Sequence, residues 1–387
     1  MNRMRYSFTP VGGSAAWRGA GLILGLLVGI VLGSRPAEAQ YTADYQTNVI
    51  GVTIGVTSNW TVGYYVGDTN FADVLVITNN SVLSSVGGRL GSGAASSNNS
   101  VLVSGSGSVW TNTGQVHVGR SGSGNSLVIS NGGAVVASVA STVGFAATSS
   151  NNSVLVTGIG SVWTNGGDLS VGNLGFGNSL AISSSGTVFN SGSGYIGNNS
   201  GADSNSVLVT GTGSVWNNGS DLNVGYSGSG NSLVITNGGT VVNSIGSIGG
   251  NLLAVASSSN SVLVTGTGSV WTNTGDLNVG YLGSGNSLVI SNGGAVVASL
   301  ASTVGFAATS SNNSVLVTGI GSVWTNGSDL SVGNFGFGNS LAISSSGTVF
   351  NSGSGYIGIN SGADSNSVLV TGTGSVWTNT GDLNVGY

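Results

Sequence analysis

Residues 205–231 read NSVLVTGTGSVWNNGSDLNVGYSGSGN. Three short runs stand out: NSVLV at 205–209, SVW at 214–216 and DLNVGY at 221–226. Gly, Ser, Thr and Asn separate them. Short runs rich in β-branched and aromatic residues, bounded by turn formers, read as strands. None has the 3.6-residue apolar period of a helix. Asn231 then opens another run, NSLVI, and the pattern starts again.

The opening motif recurs with its asparagine at Asn99, Asn125, Asn152, Asn178, Asn205, Asn231, Asn260, Asn286, Asn313, Asn339 and Asn366. The intervals are 26 or 27 residues, with a single 29, and a looser copy, DVLVITN, begins at Asp73. Eleven residues after each asparagine stands Trp in one unit and Val or Phe in the next, always preceded by Val. Residues 125–226 return almost letter for letter at 286–387. Ordering one such unit costs ~1–2 kcal/mol per residue in backbone entropy, more than its few aliphatics recover at ~1.5–3 kcal/mol each. Stacked copies share one core and pair their strands above and below. The predicted fold is therefore all-β: a parallel β-helix, a β-solenoid of right-handed turn, with about 26–27 residues and three short strands per coil. Equal spacing places like over like, so the eleven asparagines form a structural ladder of stacked amides.

Around the array, residues 1–39 have the organisation of a secretory signal: Arg3, Arg5 and Arg18, an apolar run at 20–33, then Ala37-Glu38-Ala39. Residues 40–72 read as an N-terminal cap or irregular first coil, and 73–387 as the solenoid. The regular last unit stops after its third run, so the chain reads as the front of a longer protein, with end-to-end self-association expected of an uncovered coil. Beyond residue 39 there is no Lys, Cys or Pro, and two arginines stand against ten aspartates, a formal charge of −8. That balance argues against nucleic acid as a partner. Freedom from proline leaves every backbone N–H able to join a ladder.

The phrases GSVWTNTGDLNVGYLGSGNSLVISNGG and SNSVLVTGTGSVW resemble the repeat of type V secretion and PEP-CTERM-associated bacterial proteins, and the likeness runs from Asp73 to Tyr387. It implies an exported protein at the cell surface, the outer membrane or beyond: an adhesin-like autotransporter passenger carried by an outer-membrane β-barrel in cis. The alternative it implies is a matrix or exopolysaccharide-associated structural protein. Carbohydrate, or a host or neighbouring cell surface, is the expected partner.

Chemistry-bearing residues are few. Asp168, Asp221, Asp276, Asp329 and Asp382 recur every 53 to 55 residues, two coils or ~10 Å apart at the strand spacing. That exceeds the separations used by paired glycosidase carboxylates, and repeated copies suit a turn role. No catalytic residue, metal or cofactor is expected, with an Asp-based polysaccharide-active enzyme as the distant alternative. One unit departs from GDLNVGY: residues 114–120 read GQVHVGR, introducing His117 and Arg120, with Arg89 one coil away. This small cationic patch reads as a divergent terminal coil or as a site for an acidic sugar. Finally, if the constant Val points inward, strand alternation turns Trp110, Trp163, Trp216, Trp271, Trp324 and Trp377 outward as an aromatic stripe, and Val215→Asp should then wreck the core. The other reading buries the indoles at a coil corner. For the exported protein the N-terminal residue is predicted to be Gln40; a retained Met1, read by intact mass, would remove the signal assignment.

Overall fold

The computed structural model describes residues 41, 43–251 and 257–386. The expected signal segment lies outside them. Strands of five, four and three residues follow one another around each coil, as in Ser206–Thr210, Val215–Asn218 and Leu222–Val224. Each pairs in parallel with its equivalents in the coils before and after, giving three sheets of thirteen strands. Among the described residues there is no helix. The chain is a parallel β-solenoid. Thr47–Ile50, Thr57–Asn59 and Tyr64–Val66 begin the three sheets, inside the segment read as an N-terminal cap or irregular first coil.

Alternation decides the core. In the first strand of a coil Val207 and Val209 face inward, and Leu222 and Val224 do so in the third. The second strand reverses the expectation. Trp110, Trp163, Trp216, Trp271 and Trp324 are fully buried and are the largest such side chains among the described residues. The valine before each, Val215 for example, is partly exposed. Trp377, in the last described coil, is half-buried against the same core. The cause is one residue of turn. Trp coils have four residues between the first two strands (211–214), and Val or Phe coils have three (237–239). Register therefore sets Trp216 opposite Val241, not Val242. A one-residue shift exchanges the two faces of a strand. The aromatic stripe is thus an interior column in which indoles alternate with Val135, Val188, Val241, Val296 and Val349.

The ladder asparagines from Asn99 to Asn339 are wholly buried. From Asn125 on, each accepts on Oδ1 from the preceding one twice: from its backbone N–H at 2.8–3.0 Å and from its Nδ2 at 2.8–3.2 Å. The side chain of Asn366 takes the last of these bonds, from Asn339. The glycine directly after the third strand makes room: at Gly119 (φ +75°) a Cβ would stand 2.2 Å from the amide of Asn152. Asp73 heads the ladder, donating its N–H to Asn99 and accepting from that of Gln46. Its second carboxyl oxygen is buried without a partner, and burial pushes its pKa up.

A second buried column was not foreseen. It holds Asn112, Asn165, Asn190, Asn218, Asn243, Asn273, Asn326 and Asn351, each at the end of a second strand. It serves the indoles: Trp216 donates to Asn190 at 2.9 Å and Trp271 to Asn243 at 2.7 Å, while Trp110 uses Ser85 at 3.2 Å. Beneath Trp163 and Trp324 the same position is Ala137 or Ala298, and both indole N–H groups are left unpaired. Trp216→Ala is expected to cost ~3–5 kcal/mol, the range for deleting a buried aromatic, whereas Val215→Thr should stay within ~1 kcal/mol. Chemical denaturation of both variants checks this; equal losses would return Val215 to the core.

Candidate binding face on the third sheet

The residue before each third strand and the one at its centre define the outer face of the third sheet. The first of these columns explains the recurring aspartates. Asp168, Asp221, Asp276 and Asp329 precede Leu169, Leu222, Leu277 and Leu330. Each accepts on Oδ1 the backbone N–H of a turn in the next coil, from Ser193, Ile245, Ala301 and Ser354, at 2.7–3.1 Å. Asp382 receives no such bond in the last described coil, and its own N–H donates to Ser354 Oγ. These carboxylates are turn clamps held in separate layers. Among the described residues no three His, Cys, Asp or Glu side chains come together as a metal centre.

At the N-terminal end the column changes chemistry. Gly63, Gly87, Gln115 and Ala140 occupy the aspartate position in the first four layers. Over the same layers the central column reads Tyr65, Arg89, His117 and Thr142, in direct register. Arg89 lies over the Tyr65 ring, its Cζ 4.8 Å from the centroid, within cation–π range. His117 Nε2 meets Gln115 Oε1 at 2.9 Å and Nδ1 meets Thr142 Oγ1 at 2.7 Å. An amide oxygen only accepts, so the proton sits on Nε2 and the threonine hydroxyl donates to Nδ1. Phe145 closes the other side, its ring edge-on to the imidazole at 4.9 Å. Arg120 follows two residues after the strand Val116–Val118. A concavity of about 230 Å³ opens between Tyr65, Arg89, Gln115 and His117, floored by Gly63, Gly87 and Gly114. The sequence brought Arg89, His117 and Arg120 together correctly in space, but Tyr65 and Gln115 escaped notice. For Gln115 the signal was its place where every later Trp-bearing coil has aspartate.

Further along the face, aromatic pairs bridge adjacent coils. Tyr195 meets Tyr226 edge-on at 5.5 Å, and Tyr281 stacks on Phe306 at 4.4 Å with the rings 13° from parallel. A shallower hollow near the other end is lined by Asp329, Ser331, Tyr356, Ile359, Asp382 and Asn384. The predicted tryptophan stripe contributes nothing to any outer face.

No protein-family model and no curated protein matches the chain. Among solved structures, a crystal structure of a TibA fragment hyper-glycosylated by TibC is similar, at 16% identity and a TM-score of 0.32, over 88% of this chain and 98% of that one.

His117 gives the cationic corner a measurable signature. Burial first, then the charges of Arg89 and Arg120, push its pKa down to about 4. An unfolded chain takes up that proton near ~6.5. Between those values the unfolded state binds more protons, so stability falls as pH falls, and the loss stops growing below about 4. The expected size is on the order of 3 kcal/mol. Melting curves from pH 7 to pH 4 should show this limb in the parent and not in His117→Gln; parallel curves would mean the ring is charged in the fold.

Proposed function

We propose that the chain is the displayed, non-catalytic stalk of an exported surface protein, adhesin-like and of the autotransporter-passenger kind. The observation that carries this reading is the uniformity of the column. Thirteen layers repeat the same three strands, and a block of about a hundred residues recurs 161 residues on. Copying coils lengthens such an object without a new interface, because each layer contacts only its neighbours. Reach is the property that grows. The leader-like residues 1–39 support export, and the clamped, layer-separated aspartates support a passive role.

A matrix protein bound up with exopolysaccharide is the second reading, favoured by the outward Ser, Thr and Asn side chains that hydroxyl-rich chains can meet. Excision of 152–312 removes one recurring block and rejoins Asn151 to Asn313 without disturbing the motif. The shortened protein should fold, reach the cell surface, and place a label at Gln40 nearer the membrane by ~29 Å, six layers of ~4.8 Å. Energy transfer to a membrane dye on intact cells reads that distance. A label that stays put, or a protein absent from the surface, overturns the stalk; sugar release from a polysaccharide panel would restore the enzyme alternative.

A further inference from the structure

The only two arginines after residue 39 and the only histidine lie on one corner of one sheet, in layers ahead of the first of the clamping aspartates, Asp168. Such a coincidence concentrates positive charge in a chain that is otherwise acidic. Among the described residues neither Arg89 nor Arg120 forms an ion pair, and the amide nitrogen of Gln115 has no partner. Arg89 is instead steadied by the Tyr65 ring, so its fork is oriented before any ligand arrives. His117 is tied by Gln115 and Thr142 into a neutral wall and does not compete as a cation.

We propose that this corner is a binding site for a carboxylated sugar, a uronate unit of an acidic polysaccharide. The carboxylate is taken by the guanidinium of Arg89, and ring hydroxyls meet the Gln115 amide and the edge of Tyr65. Size, charge and mode of contact select this class. The hollow, about 230 Å³, falls below the ~300–1,000 Å³ of drug-sized pockets and takes one monomer. It is open to solvent, so the monomer it takes can belong to a longer chain. An acidic peptide fits less well. Extended peptides are held by pairing with a free strand edge, and here Gly88–Leu90 is already paired on both sides, to Tyr64–Val66 and Val116–Val118. Farther along, Asp168 and its equivalents repel a polyanion, which confines it to this end.

The inference rests on the display reading only in giving the stalk something to meet, and the two can fail separately. Isothermal titration of the exported protein uses hexagalacturonate, its methyl ester and a hexaglutamate peptide at low salt. The acid should bind, with the ester and the peptide at least tenfold weaker. Arg89→Gln removes a charge-assisted hydrogen bond and should weaken the acid about tenfold or more, whereas Arg120→Gln, outside the hollow, should weaken it less. Asp276→Asn, seven layers away, should leave it unchanged. Both arginines are partly exposed, and unchanged melting would show that the variants fold. Equal binding of ester and acid, peptide binding as tight as sugar, or an Arg89→Gln variant that binds like the parent would each overturn the site. Fluorescent hexagalacturonate on intact cells separates the two ideas: Arg89-dependent binding in solution without binding to cells sinks the display reading alone.

Discussion

Each buried ladder asparagine must satisfy an amide in a place water does not reach, and it does so with the next copy of itself. Its Oδ1 collects two donors from one neighbouring layer while its own N–H and Nδ2 serve the layer on the other side. The arrangement has no solution for a solitary coil, because an unpaired buried amide costs several kcal/mol. Layer spacing, parallel register and the glycine that must stand clear of each amide all follow from this bond. At Gly119 and its equivalents a side chain would occupy the space of the asparagine itself. The ladder and the strand pairing enforce one another: a slip of one residue would break both.

How far the fold could be read before it was seen depends on which feature is asked about. Coil length, three strands per coil and the parallel stack came from spacing, which needs no knowledge of the turns. The facing of the second strand did not. Trp216 and Val242 stand at the same distance from their asparagines, yet the turn 211–214 is one residue longer than 237–239, and that residue exchanges inside for outside. The first layer could be read only as a cap or an irregular coil, because Thr47–Ile50 and Thr57–Asn59 carry little of the repeat motif; they pair with the strands of the next coil. The cationic corner was half visible. Arg89, His117 and Arg120 are conspicuous in composition, whereas Tyr65 becomes part of the group only through register.

The asparagines that receive the indoles show what repetition permits. Burying a tryptophan in every second layer requires an acceptor beside it, and Asn190 or Asn243 provides one from the layer before. A polar column inside the core is tolerable because it is nearly complete. Charge follows the opposite logic: aspartates recur in every second layer from Asp168 on, where they clamp a turn, and the cations stand in the layers before the first of them.

The column is not complete at Ala137 and Ala298, and there Trp163 and Trp324 keep an unpaired N–H. The two alanines stand 161 residues apart, the offset of the recurring block. A protein that grows by copying its own coils inherits their defects at the same pitch as their strengths. Selection can mend one copy and leave the other, but duplication cannot average them. Under load such a column has its weakest layers laid out at regular intervals, like joints in a cast rail.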